Sequence, residues 1–263
     1  MIATSASAAL HKTKNIFAHG FDVLASYFSL AVYAILHIRT LKIHPVRNVL
    51  YRQIYFTGWE SHRPVALLAL MCGALVTTQT IRFAGGDSVL VVRAMAWLFV
   101  RELGPLLAAM IIIGRSCPAI ASELALMKVR GELDSLRHMG ISPLDYLLIP
   151  RILGVSLALA VLTLLFELVA TIGGLGFSAM FQNVSFLNQI GRFVLVVNPF
   201  EFLASGVKGF MFGMVISAIS CFHGMSVGTS VTEVPQAVIK AVTRSMVAVF
   251  ICDLLLSAPR YIS

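Results

Sequence analysis

Long apolar runs, most of them near the roughly 20 residues needed to cross a bilayer, alternate with short polar stretches along this chain. The first run, Ile16–Ile38, holds Asp22 as its sole Asp, Glu, Lys or Arg. Its polar residues His19, Asp22, Ser26, Ser29, Tyr33 and His37 recur every three or four positions, which is one continuous stripe on a helix. Basic residues flank it on both sides, Lys12 and Lys14 before it and Arg39, Lys42, Arg47, Arg52 and Arg63 after it. Two basic flanks favour one side of the membrane. The run therefore reads as an interfacial or re-entrant elbow helix in the inner leaflet, with a genuine span as the alternative.

Five later runs read as spans. Pro64–Ile81 is uncharged, with Tyr51, Tyr55 and Trp59 as an aromatic anchor before it. Ala94–Gly114 carries Arg101 and Glu102 in its middle, and the third run starts near Ile152 and passes Glu167 towards Met180. Phe202–Phe222 contains Lys208, and Ala241–Ala258 contains Asp253. Polar connections are expected at Arg82–Asp87, at Gln182–Pro199 and, rich in Gly, Ser and Thr, at His223–Val234. The expected organisation is an all-α integral membrane protein. Residues 1–63 form a cytoplasmic tail and elbow helix, 64–258 a five-span domain, and 259–263 a periplasmic tail.

Composition agrees, with 58% hydrophobic residues against 12% charged, too few charges to clothe a soluble domain of 263 residues. The net charge of +8 would point to nucleic acid in a soluble protein, but here its distribution points to the membrane instead. Fourteen Lys and Arg lie in the segments placed inside and four in those placed outside. That asymmetry puts the N-terminus in the cytoplasm and the C-terminus outside. Cys72, Cys117, Cys221 and Cys252 are far apart, a pattern of neither zinc ligands nor a disulfide framework.

Enzyme chemistry finds little support. The chain has no G-x-x-x-x-G-K-[ST] and no H-E-x-x-H. Gly224–Gly228 matches G-x-S-x-G around Ser226, but a loop between two membrane helices lacks the strand-turn-helix that such a nucleophile needs. No catalytic residue and no metal ligand is expected. Ser205, Gly209, Gly213 and Ser217 repeat every four residues in the fourth run, a stripe suited to close helix packing. That packing is read as internal to the subunit, with a homodimer contact as the other use.

Arg115–Arg151 is the most charged internal stretch, and within it Arg115–Pro143 is the most informative. Ser116 and Pro118 suit a helix start, and Gly140 followed by Pro143 suits a stop. Leu126, Val129, Leu133 and Leu136 form an apolar stripe between them, against charges at Glu123, Lys128, Arg130, Glu132, Asp134 and Arg137. A helix over about 116–140 could touch a soluble partner or merely lie on the headgroups.

These residues carry a resemblance. The run Arg101-Glu102-Leu103-Gly104-Pro105-Leu106-Leu107-Ala108-Ala109, then Gly114-Arg115 and Ala121-Ser122-Glu123-Leu124-Ala125-Leu126-Met127, resembles the signature of the MlaE family, permease subunits of lipid-transporting ABC systems that work with MCE proteins. Glu132, Leu136, Met139-Gly140, Pro143 and Pro150-Arg151 continue the match, with Gln53–Gly58 and Thr243-Arg244 at its two ends. The resemblance spans about Arg47 to Ala258. It implies an elbow helix, five spans, a homodimer, a coupling helix on a separate ATPase that binds ATP and Mg, and a periplasmic MCE protein. A STAS-domain accessory, where present, would be a separate chain. Two departures are Ser230–Gln236, which lacks the usual glycines, and Gly131, which replaces a more polar residue before Glu132.

The expected function is therefore transport of phospholipid or a related lipid between the inner membrane and the MCE protein, in support of outer-membrane lipid homeostasis. An ion- or proton-coupled carrier is the alternative that the charges at membrane depth raise, and a structural scaffold is a third. Arg101, Glu102, Lys208 and Asp253 either pair internally or face the lipid pathway, with Leu70, Val76 and Trp97 along the acyl chains. Glu123, Arg130, Glu132, Leu136 and Met139 are the candidate contacts to the ATPase.

Overall fold

The computed structural model describes residues 27, 29–37, 44–83, 88–182, 185–196 and 198–262, and among these there is no strand. Helix α1 (His44–Ile54) runs through a π-helical turn, Tyr55–Trp59, towards α2 (His62–Phe83). Helix α3 (Ser88–Met95) continues through a second π segment, Ala96–Leu103, into α4 (Gly104–Val129), and α5 (Glu132–His138) follows. A third π turn, Leu144–Leu148, leads to α6 (Ile149–Gln182); α7 (Phe186–Val196), α8 (Pro199–Met225) and α9 (Val234–Ile262) complete the order.

Among the described residues, four helical stretches are long and apolar enough to cross a membrane, spanning 40, 40, 38 and 27 residues. They are His44–Phe83, Leu90–Val129, Leu144–Phe181 and Pro199–Met225. At about 1.5 Å per residue the first three reach nearly 60 Å, twice a hydrocarbon core of roughly 30 Å. Their surplus gathers at one end of the bundle. Arg115 Nη1 donates to Ser61 Oγ at 2.6 Å, and Arg151 pairs with Glu123 at 2.9 Å.

The expected helix over 116–140 needs correction. No helix starts at Ser116 or Pro118, because α4 passes through both positions and ends at Val129. An uncharged helix running into a charged segment does not have to stop, and Pro118 costs α4 only its own missing N–H donor and local strain. The break falls at Gly131, whose φ of +73° is left-handed and favours a residue without Cβ. The stop at Gly140 is as read from the sequence. Gly140 N–H bonds Arg137 O at 2.9 Å and Ile141 N–H bonds Leu136 O at 3.0 Å, a Schellman closure with Gly140 at φ +76°.

The connection expected at Gln182–Pro199 is also corrected, since it contains α7. Phe186, Ile190, Phe193 and Val194 share one helical face, and Gln189 is buried with its Nε2 donating to Ser178 Oγ at 3.0 Å. Asn198 then caps α8, its side chain accepting the Phe200 N–H at 3.1 Å, with Pro199 in the first turn.

Helices α6 and α8 form the centre, α6 packing on α2 and α8, and α8 on α4 and α9. Phe99, Phe166 and Phe212 are fully buried among them. The stripe of small residues on α8 faces α6: a Cβ on Gly213 would come within 2.5 Å of Ser156 Cα, and one on Gly209 would strike Thr163. Ser205 Oγ donates to Glu167 Oε2 at 2.9 Å. The stripe thus serves packing inside the subunit, the small side chains letting two backbones approach in lipid. Gly73 does the same for α2 against Ala170 of α6.

Most of the Ile16–Ile38 elbow lies outside the described residues. The part that is described, 29–36, is helical. Tyr33 Oη donates to Asp145 Oδ1 at 3.0 Å, a bond that holds the phenol pKa above its ordinary value. Tyr27 Oη lies 2.8 Å from His223 Nε2 and accepts from Arg244 Nη1 at 3.0 Å, tying this segment to α8 and α9.

Candidate functional site

The central charges meet where the π segment Ala96–Leu103 faces α8 and α9. Lys208, only 6% exposed, is the hub. It donates to Arg101 O at 3.2 Å, Glu102 Oε2 at 3.2 Å and Ser257 Oγ at 3.0 Å. Asp253 Oδ1 lies 2.5 Å from the same nitrogen as an ion pair. Ser257 Oγ in turn donates to Glu102 Oε2 at 3.1 Å, and the ammonium also sits 5.9 Å from the Phe212 ring centroid. One cation is thus held by two carboxylates from two different helical segments, and the pairing ties three segments together.

Arg101 behaves differently. Its side chain is 41% exposed and pairs with Glu201 in the first turn of α8. A bidentate donor at the bundle surface can meet a phosphate, whereas Lys208 is buried among its partners. Trp97, four residues earlier in the same π segment, is also exposed. Leu70 is exposed on α2, where its side chain lies against Gly173 of α6, and Val76 is half-buried against the core.

The coupling candidates cluster at the far end of α4. Glu123 pairs with Arg151, Arg130 lies 3.8 Å from Glu132 across the Gly131 break, and both members of that second pair are exposed. Met139 is 65% exposed, while Leu136 packs against the core. These residues do not meet the central cluster. Along the same helical run, Glu123 stands 22 positions beyond Arg101, about 33 Å at helical rise.

Sequence reasoning missed Glu201 and Ser257. Ser257 was within reach, because it follows Asp253 by four residues and so shares its helical face. Glu201 carried no such signal, since its partner is 100 positions away. The π segments were missed for a similar reason: their composition is that of any apolar helix, although such segments often mark functional sites. Among the described residues, no group of three His, Cys, Asp or Glu side chains is placed to hold a metal ion.

Apolar helices of this length, with their charges gathered inside the bundle, define a multi-pass α-helical membrane protein. Comparison with known proteins makes it more particular. The chain belongs to the MlaE permease family, whose model, described as Permease MlaE, matches residues 50–258. It is 31% identical over 242 residues to a protein named "Probable ABC transporter permease protein" from Synechocystis, covering 90% of each chain. A protein of the same name from Rickettsia prowazekii is 29% identical over 217 residues, covering 80% of this chain and 82% of the other. The chain is also 32% identical over 235 residues to "Protein TRIGALACTOSYLDIACYLGLYCEROL 1, chloroplastic" of Arabidopsis thaliana, covering 87% of this chain and 65% of that protein. Family membership makes this chain a transport subunit rather than an enzyme, and an ABC permease implies an ATPase partner.

Proposed function

We propose that this chain is the permease subunit of an ABC transporter that moves phospholipid, or a related lipid, between the inner membrane and a periplasmic MCE protein, and so supports outer-membrane lipid homeostasis. The observation that carries the lipid reading is the family match together with a relative whose name contains that of a galactolipid. The half-exposed Arg101 and exposed Trp97 beside the buried Lys208 cluster support it, since a phosphate and an acyl chain ask for those two kinds of surface.

In this reading α9 is the fifth span and the elbow precedes the first. The N-terminus is cytoplasmic in a multi-pass inner-membrane protein, because Lys and Arg crowd the end where the long helices project. Two copies form the working unit. A separate ATPase binds ATP and Mg, docking on α5 and the end of α4 with Glu132 among its contacts, while the chain itself carries no cofactor. A STAS-domain protein is a further candidate partner, and nucleic acid is not one.

Purification in mild detergent, with mass spectrometry of co-purifying proteins and extracted lipid, tests this reading. An ATPase, an MCE protein and phospholipid are expected, and Arg101→Ala should lower the bound lipid more than the folded yield. Glu132→Lys should weaken ATPase recruitment without affecting membrane insertion. A chain that purifies alone and lipid-free, and that responds to a proton gradient, would establish the carrier instead.

A further inference from the structure

A second charged site lies away from the central cluster, where the projecting parts of the three long helices diverge. They enclose a cavity of about 560 Å³ whose lining includes Arg52, Arg115, Arg151, Glu60, Glu123 and Phe56. Arg151 is 5% exposed, with one nitrogen paired to Glu123 at 2.9 Å, while its Nη1 is buried without a hydrogen-bond partner. An unmet buried donor on a cation is costly, and native structures keep few of them. Arg115 pairs with Glu60 at 2.5 Å and bonds Ser61. Arg52 stacks 5.6 Å from the Phe56 ring and has no carboxylate partner among the described residues. Three guanidinium groups therefore share two carboxylates, which leaves one positive charge in excess.

The depth of the cavity can be read from its surroundings. Tyr55 and Trp59, in the π turn that forms one wall, are 54% and 64% exposed, as aromatic side chains are where a protein meets the headgroup layer. The remaining lining is mixed, with apolar Val49, Ala119 and Ile120 beside polar Gln53, Thr57 and Ser116. A cationic pocket with a partly apolar wall at headgroup depth suits a ligand with a phosphoryl group on a greasy stem. The pocket is separate from the central cluster, since Arg115 lies 14 residues beyond Arg101 on the same helical run, about 21 Å along its axis.

We infer that this cavity binds the phosphoryl group of an anionic phospholipid resident in the leaflet beside the projecting helices, with Arg52 and Arg115 as its donors and Arg151 backing them. Arginine meets phosphate with two parallel hydrogen bonds, and the lipid joins α1, α4 and α6 at their exit from the membrane. The site holds whether or not the bundle transports lipid.

The test uses the full chain with its co-purifying subunits in nanodiscs, read by amide hydrogen exchange over 50–60 and 115–127. Discs of phosphatidylcholine with about one quarter phosphatidylglycerol should slow exchange there about tenfold relative to pure phosphatidylcholine, the effect of one charge-assisted hydrogen bond. Arg52→Ala should abolish the slowing and Arg52→Lys should keep part of it; Arg52 is exposed, so neither variant threatens the fold. Equal exchange in the two lipids, or slowing that survives Arg52→Ala, would overturn the site. Equal slowing by inorganic phosphate in pure phosphatidylcholine discs would keep the phosphoryl site and overturn its assignment to lipid. Transport and lipid co-purification through Arg101 are separate readouts, so failure here leaves the transport reading standing.

Discussion

Replacing Lys208 by methionine should destabilise the bundle more than any other single change among its charged residues. Methionine fills much of the same volume, so the loss is electrostatic. Three hydrogen bonds disappear, each worth about 0.6 kcal/mol between helices in a membrane protein. Glu102 and Asp253 also lose their shared cation, and removing one partner of a buried pair costs about 3–5 kcal/mol. Their side chains keep 22% and 17% exposure, which moves the expectation towards the lower figures, about 2–4 kcal/mol in all. Arg101→Ala breaks a half-exposed pair and should cost only about 0–1 kcal/mol. Unfolding in mixed micelles, titrated with sodium dodecyl sulfate and followed by circular dichroism, measures both. The decisive variant is the double, Lys208→Met with Asp253→Asn, which removes one orphaned charge and should recover at least about 1 kcal/mol against the sum of the singles. Additivity within about 0.5 kcal/mol, or a Lys208→Met protein as stable as its parent, would refute the account of Lys208 as the hub.

Three further outcomes follow from the packing and the turns. Gly213→Ala places a Cβ against the Ser156 backbone and should cost about 1–3 kcal/mol; Gly206→Ala meets only the Leu164 side chain at 3.6 Å and should be neutral or stabilising in the same titration. A melt in which the two variants shift alike would contradict the close approach. Gly131→Ala has open space around it, so its cost of about 1–2 kcal/mol is purely the left-handed backbone, and exchange of the α5 amides should speed up while global stability falls by no more than that amount. Single cysteines at Ser185 and Met139 in a cysteine-free background should label from the periplasm and the cytoplasm respectively, and the reverse pattern would invert the proposed orientation.

Apolar periodicity carried the long helices because length and composition decide whether a segment can cross lipid, and both are local properties. The stop at Gly140 was legible for the same reason. Starts were harder. Ser116 and Pro118 are good helix openers in water, but α4 was already a helix when it reached them, and cooperativity outweighs a local preference. In 182–199 the polar residues drew attention away from the apolar face of Phe186, Ile190 and Phe193. Within the site, the charges themselves were plain, since each interrupts an apolar run. Internal pairing among them was one of the two readings, but which charge meets which, and the Arg101–Glu201 pair, depend on how helices cross rather than on what precedes them in the chain.

The continuity of the second long run has a mechanical consequence. From Arg101 to Arg115 is 14 residues, and from Arg115 to Val129 another 14, each about 21 Å of helical rise. With Arg115 held against Glu60 and Ser61 as a pivot, the run is a lever of equal arms. A sideways displacement of 1 or 2 Å at the Val129 tip would appear at Arg101 with about the same size and opposite sense, provided the beam stays stiff. Pro118, on the outer arm close to the pivot, and Pro105 with the π segment at the far end of the inner arm, are the sections where the beam can bend.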